Sequence, residues 1–528
     1  HLSKTPLGAT NGADTLVIEN DGKAQTVFLN SIAEGLPLAA GLQEALAEAI
    51  SRLPIAKTMN YQLADGDTTV QFVRPAHRLV ALHGHELQPV EALGLIAGTK
   101  TIGHRFHAPG NLVIHAADTY EDQLRREGRV IASFEKRRAL IAKLLNEAAQ
   151  SLGAVVICPD DLLDEVTALV EWPVVYTSSF EETFLSVPQE CLILTMQQNQ
   201  KYFALKDQQG KLRNQFLLVS NIEAADPSAI VAGNARVVRA RLADAKFFFD
   251  QDRKHSLESR VPALAQVVYH RKLGSQLDRV ERIVVMAVAI ARHLGADIHH
   301  VERAARLAKA DLSTLMVGEF PELQGLMGRY YAQHDKESTD VAYAIEQHYW
   351  PRFSGDALPT NPVATSVALA DKLETLIGLL SAGEKPSGDK DPFGLRRHGL
   401  GIVRMLLMQA QAPALDALIA IGQEAIGSND PALAQSIEHF LFERLRGLAR
   451  DEGYSAHEIE AVVALRPQHL AAVPLRLAAV RSFMALPESE SLAAANKRIG
   501  NILKKSEVHT AAFNETLLRE PAEKKLAE

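Results

Sequence analysis

The sequence predicts a multidomain chain, α+β in its N-terminal half and all-α in its C-terminal half. Three observations predict this. Up to about residue 258, short β-prone runs alternate with turn signals and helical stretches. From Val261 to Met408, and again from Asp416 to Leu486, apolar residues recur at helical spacing. A length of 528 residues suits about three or four domains, each able to bury its own core.

In the first stretch, Thr15–Glu19 and Thr26–Leu29 flank Asn20-Asp21-Gly22, the signature of a hairpin. Leu42–Leu53 reads as a helix, and Val70–Val73 and Val80–Leu82 are short apolar runs around Arg74-Pro75. Thr101–His107 holds two histidines and an arginine but no nearby carboxylate pattern, so it reads as a surface polar loop, not a metal site. Tyr120–Leu152 is charged and helical, as expected of a long exposed helix pair. Val174–Tyr176, Leu192–Thr195 and Phe216–Val219 read as strands, with a turn at Asp207–Gly210.

A helix follows from Gly233 to Phe249, with Asn234 as its expected N-cap. Val237, Val238, Leu242, Ala245, Phe248 and Phe249 form its core face. Arg236, Arg239 and Lys246 cluster opposite, as candidate RNA contacts. Arg241 falls within the apolar face, where a guanidinium needs a partner, and Asp244 is the expected one. Further helices are expected over Leu277–His293, His300–Leu312, Thr339–Trp350 and Pro362–Ser381.

The segment from Lys385 to Leu406, KPSGDKDPFGLRRHGLGIVRML, opens as a loop and continues as a helix. Asp391 is the expected cap and Pro392 the first helical residue. Gly394, Gly399 and Gly401 imply close approach by another backbone or a ligand, since each costs about 1 kcal/mol inside a helix. With Lys390, Arg396, Arg397 and Arg404, the segment could hold phosphate. The last piece, Ser491–Lys505, carries four cations and no acid. Lys497, Arg498, Lys504 and Lys505 share one face, a polyanion-binding pattern.

Charge and motifs narrow the function. A net charge of −8 confines nucleic-acid contact to such local patches. Cys158 and Cys191 belong to no paired spacing, which argues against a disulfide framework or a zinc site and suits a reducing cytosol. No unbroken apolar run is long enough to span a bilayer, so no membrane association is expected. There is no P-loop glycine pattern, no synthetase-class signature and no nucleophilic triad, so no catalytic residue is assigned. Both ends read as cut, at His1 and after Pro521–Glu528.

Several separate stretches carry a resemblance. They are FVRPAHRL from Phe72, GHRFH from Gly103, LVEWPVV from Leu169, FLSVPQECL from Phe184 and QKYF from Gln200. GNARVVRARLADAKFFFDQDRK from Gly233, LMVGEFPELQGLMGRYYA from Leu315, NPVATSVALADKLETL from Asn361 and GDKDPFGLRR from Gly388 complete the set. Together they resemble the β-subunit family of the bacterial two-subunit glycyl-tRNA synthetases. The resemblance implies a non-catalytic, tRNA-binding subunit in the cytoplasm, paired with a class II α subunit as two α and two β chains. The α subunit would use ATP and magnesium, and tRNA(Gly) would be the common substrate; no cofactor is expected on this chain. It also implies a chain lacking the N-terminal portion and most of an anticodon-binding domain. The implied divisions are 1–125, 126–258, 259–412, 413–488 and 489–528.

The 259–412 block also resembles an HD domain that has lost ligands. Asp311 and Asp371 stand at two metal-ligand places, whereas Ala310 and Gln276 stand where histidines belong, with His348 nearby. Two carboxylates and a glutamine are a poor ligand set, so no metal is expected. An HD-type phosphohydrolase and a pure assembly scaffold for the α subunit remain as rival readings.

Overall fold

The computed structural model describes residues 15–20, 25–30, 35–63, 65–505 and 515–527. It divides into two compact units, His1–Leu242 and Ala243–Glu528.

The first unit is α+β. Thr15–Asn20 pairs antiparallel with Gln25–Asn30, as the hairpin pattern predicts; the expected turn residues Asp21 and Gly22 lie outside the described residues. A helix, Leu38–Arg52, follows, and then four short antiparallel pairs between Met59 and Val113. The main sheet is antiparallel, in the order Val155–Val156, Phe203–Lys206, Leu212–Ser220, Val174–Ser179. The Phe134–Ser151 and Asp160–Leu169 helices cover it, burying Ile141, Leu145, Leu163, Phe203, Leu205 and Leu217 in one core.

Five expectations for this unit need correction. Leu192–Thr195 is no strand; it lies in the Gln189–Gln200 helix. Cys191, Leu192, Thr195 and Met196 are its buried face, a spacing that a four-residue apolar window cannot distinguish from a strand. The charged Tyr120–Leu152 stretch is the expected helix pair, Tyr120–Arg126 and Phe134–Ser151, but it is not exposed throughout, because the second helix buries Ile141, Leu145 and Ala149. Thr101–His107 is not a surface loop throughout, because His104 is fully buried. Its Nδ1 accepts the N–H groups of Phe106 and His107, both at 3.2 Å, and its own N–H donates to Gly128 O at 2.7 Å. Asn234 is not an N-cap, because the helix begins six residues earlier and runs Ser228–Asp252. Within it, Asn234 accepts the Tyr202 hydroxyl and donates to Ile230 O at 2.7 Å. Arg241, expected to be buried against Asp244, is exposed, as are Asp244 and Val237.

The second unit is helical and built around Pro362–Ser381. Asn361 caps that helix and Pro362 opens it, and every residue from Val363 to Leu380 is buried. Gln276–Leu294, Ile298–Leu307, Thr339–Gln347, Leu395–Met408, Leu415–Ala425 and Pro431–Asp451 all pack on it. Ala456–Val463, Val473–Met484 and Ser489–Lys505 continue the chain. The expected His300–Leu312 helix stops at Leu307, and a short 3-10 turn, Ala310–Ser313, follows.

The Lys385–Leu406 segment starts its helix later than predicted, at Leu395, behind Gly394 in a left-handed conformation (φ 65°). Pro392 therefore sits in the turn before the helix. Asp391 still caps it, accepting the N–H groups of Leu395 at 2.8 Å and Arg396 at 2.9 Å. Close approach at the glycines is by side chains: a Cβ on Gly399 would lie 2.8 Å from the Phe440 ring, and one on Gly401 2.9 Å from the Lys372 stem.

A paired substitution tests that contact. Gly447, in the Pro431–Asp451 helix, has open space where a Cβ would stand. Gly447→Ala should gain up to about 1 kcal/mol from helix propensity alone. Gly399→Ala gains the same propensity but overpacks Phe440, so a net loss of about 1–2 kcal/mol is expected. Denaturant unfolding of the two variants measures both signs.

Candidate functional site

The buried central helix carries three consecutive-turn charges, Asp371, Lys372 and Glu374, and each must find a partner. Helical geometry separates them. Asp371, Glu374 and Thr375, spaced i, i+3 and i+4, face the Gln276–Leu294 helix. From there Arg279 donates to Asp371 Oδ1 (2.9 Å), Glu374 Oε2 (3.0 Å) and Thr375 Oγ1 (2.7 Å). Arg282 closes a fork on Glu374 Oε1 at 2.8 and 2.9 Å. Lys309, itself buried, brings its Nζ to 3.0 Å from Asp371 Oδ1 and 3.9 Å from the Tyr349 ring centre. Lys372 turns the other way and donates to Tyr349 O at 3.0 Å.

Asp371, Lys372, Thr375, Arg279, Lys309 and Tyr349 line one side of a cavity of about 370 Å³. Arg397 and His398 of the Leu395–Met408 helix, with Phe393 before it, line another, and Tyr269 and Arg352 contribute as well. Five cations thus face the space and one carboxylate, Asp371, faces it with them. Arg352 has its own partner, Asp356, at 2.8 Å. Among the described residues, the buried Tyr349 hydroxyl and His398 Nδ1 find no hydrogen-bond partner.

Burial and the field inside shift several of these groups. Burial pushes Lys309 and Lys372 each down to about 8, against the pull of Asp371. Burial, joined by the Lys372 cation, pushes His398 down to about 3, so its ring is neutral. Burial would raise Asp371, but the Lys309 and Arg279 cations outweigh it and hold the carboxyl well below the usual range.

The four HD-like positions do not meet at a ligand point. Asp371 is taken by Arg279 and Lys309. Asp311 turns away to a loop, its Oδ2 accepting the N–H groups of Gly325 (2.5 Å) and Gly328 (3.1 Å), and burial pushes its carboxyl up to about 6. Ala310 is buried and apolar, and Gln276 opens the Gln276–Leu294 helix with its Oε1 buried and unpartnered. His348 is buried with Nδ1 2.6 Å from Ile345 O. Among the described residues no three His, Cys, Asp or Glu side chains gather as a metal ion requires.

The surface cations fall into two kinds. Several are engaged: Arg239 with Glu181 (2.5 Å), Lys246 with Asp250 (2.6 Å), Arg396 with Gly388 O (2.6 Å) and Arg404 with Asp356 O (2.9 Å). Arg236, Lys390, Arg397, Lys497 and Arg498 are exposed. The side chains of Lys504 and Lys505 lie outside the described residues, though both are in the Ser489–Lys505 helix. That helix also exposes Leu492, Ile499 and Ile502.

Sequence reasoning missed Arg279, Lys309, Lys372 and His398. One signal was available: Asp371, Lys372 and Glu374 interrupt an otherwise apolar 20-residue helix, and buried charges demand partners elsewhere.

Comparison with known proteins adds a family. A model described as the glycyl-tRNA synthetase beta subunit matches residues 7–464. A glycine–tRNA ligase beta subunit from Methylobacillus flagellatus is 57% identical over 99% of this chain and 75% of its own length. The corresponding proteins of Thiobacillus denitrificans and a Janthinobacterium species are each 57% identical, over 96% and 98% of this chain and 73% and 75% of their own lengths.

The depressed lysines have a measurable consequence. Between about 8 and the ordinary 10.5, the folded chain binds fewer protons at Lys372 than the unfolded chain does. Stability therefore rises with pH across that window, and this contribution is lost as pH falls through about 8. Unfolding of the wild type and Lys372→Met should show the wild type gaining on the variant from pH 8 to 10.5. Parallel profiles would reject the assignment.

Proposed function

The chain belongs to the glycyl-tRNA synthetase β-subunit family, and from that premise we propose that it is the tRNA-handling subunit of a glycine–tRNA ligase. The observation that carries this is the 57% identity over 99% of the chain to a glycine–tRNA ligase beta subunit. The chain is thereby part of an aminoacyl-tRNA synthetase, and an α subunit and tRNA are its implied partners. In the full proposal two α and two β chains work together in the cytoplasm. The α subunit activates glycine with ATP and magnesium, and this chain positions tRNA(Gly). Consistent with a soluble role, no single helix among the described residues is long and apolar enough to cross a membrane.

The helical block is best read as a degenerate HD-like domain kept as scaffold and RNA surface. Lys309 and Arg279 neutralise the carboxylate that hydrolytic metal chemistry would need, which weighs against a phosphohydrolase. The proposed tRNA-contacting set is Arg236, Arg239, Lys246, Lys390, Arg396, Arg397, Arg404, Lys497, Arg498, Lys504 and Lys505. Arg397 is exposed beside a shaped cavity, so its guanidinium fork counts as well as its charge. Lys497 and Arg498 stand on an open helix face and act by charge.

Three measurements test the reading. Glycine-dependent ATP–pyrophosphate exchange should be absent with this chain alone and appear when α subunit is added; robust exchange without α would refute the division of labour. In tRNA binding, Lys497→Ala should lower the salt slope by about one unit. Arg397→Lys should weaken aminoacylation by the reconstituted enzyme despite the retained charge. A chain that binds α but shows no salt-dependent tRNA affinity would be an assembly scaffold only.

A further inference from the structure

We propose that the cavity between the Pro362–Ser381 and Leu395–Met408 helices is a binding site for a nucleotide phosphate. The cavity carries cations that its carboxylates do not match. Asp371 and Glu374 account for Arg279, Arg282 and Lys309, and Asp356 accounts for Arg352. Lys372 has a peptide carbonyl, not a carboxylate, at hydrogen-bond distance, and it is buried. Arg397, exposed at the rim, brings a second cation beyond those the carboxylates account for to the same space. Buried cations without matching anions are costly, and an anion entering the cavity relieves that cost.

Two further features choose the anion. An arginine fork with an ammonium beside it matches the oxygens of a phosphate. The neutral His398 and the Tyr349 hydroxyl each present a buried polar atom that lacks a partner, ready for remaining phosphate or sugar oxygens. At about 370 Å³ the space exceeds a bare phosphate, and the rings of Tyr269 and Phe393 add aromatic wall. It holds one nucleotide and excludes a duplex, so it is distinct from an open tRNA-binding face. The site stands whether or not the tRNA-handling reading holds, because its ligand is one nucleotide unit. That unit comes either from free nucleotide or from a tRNA terminus.

The test is calorimetric titration of the whole chain with AMP, inorganic phosphate and adenosine at fixed ionic strength. AMP should bind most tightly, phosphate more weakly, and adenosine at least about tenfold more weakly than AMP. Arg397→Ala, an exposed position, and Lys372→Met should each weaken AMP by about tenfold or more. Thermal unfolding without ligand checks that Arg397→Ala, at an exposed position, is folded, so the result does not depend on the buried variant. Equal binding of AMP and adenosine, AMP binding untouched by Arg397→Ala, or no AMP binding at millimolar concentration would each overturn the proposal. Adding saturating tRNA assigns the source: loss of AMP binding identifies a tRNA phosphate as the occupant, and undiminished AMP binding identifies free nucleotide.

Discussion

The second unit depends on neutralising two carboxylates inside a helix that is buried at every residue from Val363 to Leu380. Asp371 and Glu374 are 2% and 0% exposed, and an unpaired charge at such depth costs several kcal/mol. Arg279 and Arg282 answer from one neighbouring helix and Lys309 from the turn after another. The ion pairs need not add net stability over an apolar core. What they add is register: the Gln276–Leu294 helix can dock on Pro362–Ser381 only where two guanidinium forks meet two carboxylates.

Register on one face fixes the opposite face. Lys372 follows Asp371 by one residue, about 100° around the helix, so it points toward the Leu395–Met408 helix. Its stem runs along Gly401, where any Cβ would stand 2.9 Å from it. The glycine admits the lysine, and the lysine brings charge to a wall that Arg397 and His398 also line. The cavity is thus a by-product of the ion-pair face, with its polarity set by which residues the helical period leaves over.

Much of this was legible in the sequence. The change from α+β to all-α, the hairpin strands, the boundaries of Pro362–Ser381 and the capping by Asp391 follow from period, turn chemistry and propensity. The segment around Arg397 was singled out as shaped by its glycines, and it does line the cavity. Its partners were not legible, because Arg279, Lys309 and Lys372 come from three elements joined only by tertiary contacts. Local pattern also misread Leu192–Thr195, where four residues fit both periods, and Arg241, where a single helical wheel placed on the core side a residue that the fold leaves exposed. Asp311 shows the same limit: its type suits a metal ligand, and only the Gly325–Gly328 loop reveals that it serves as a backbone anchor.

The surface cations differ in what engagement with phosphate must displace. Arg239 and Lys246 hold exposed carboxylates, pairs worth about 0–1 kcal/mol in water, so exchanging a carboxylate for a phosphate is nearly neutral and readily driven by counterion release. Arg396 and Arg404 instead satisfy backbone carbonyls of their own fold, and moving either leaves an acceptor without its donor. Those two are better suited to holding the 388 and 353–356 loops in shape than to leaving them. Arg397 stands between Arg396 and Arg404 in sequence but has neither constraint, being exposed and at the cavity. For the proposed phosphate contact, Arg397 is therefore the arginine of that segment best placed to move, with Arg396 and Arg404 building the frame that presents it.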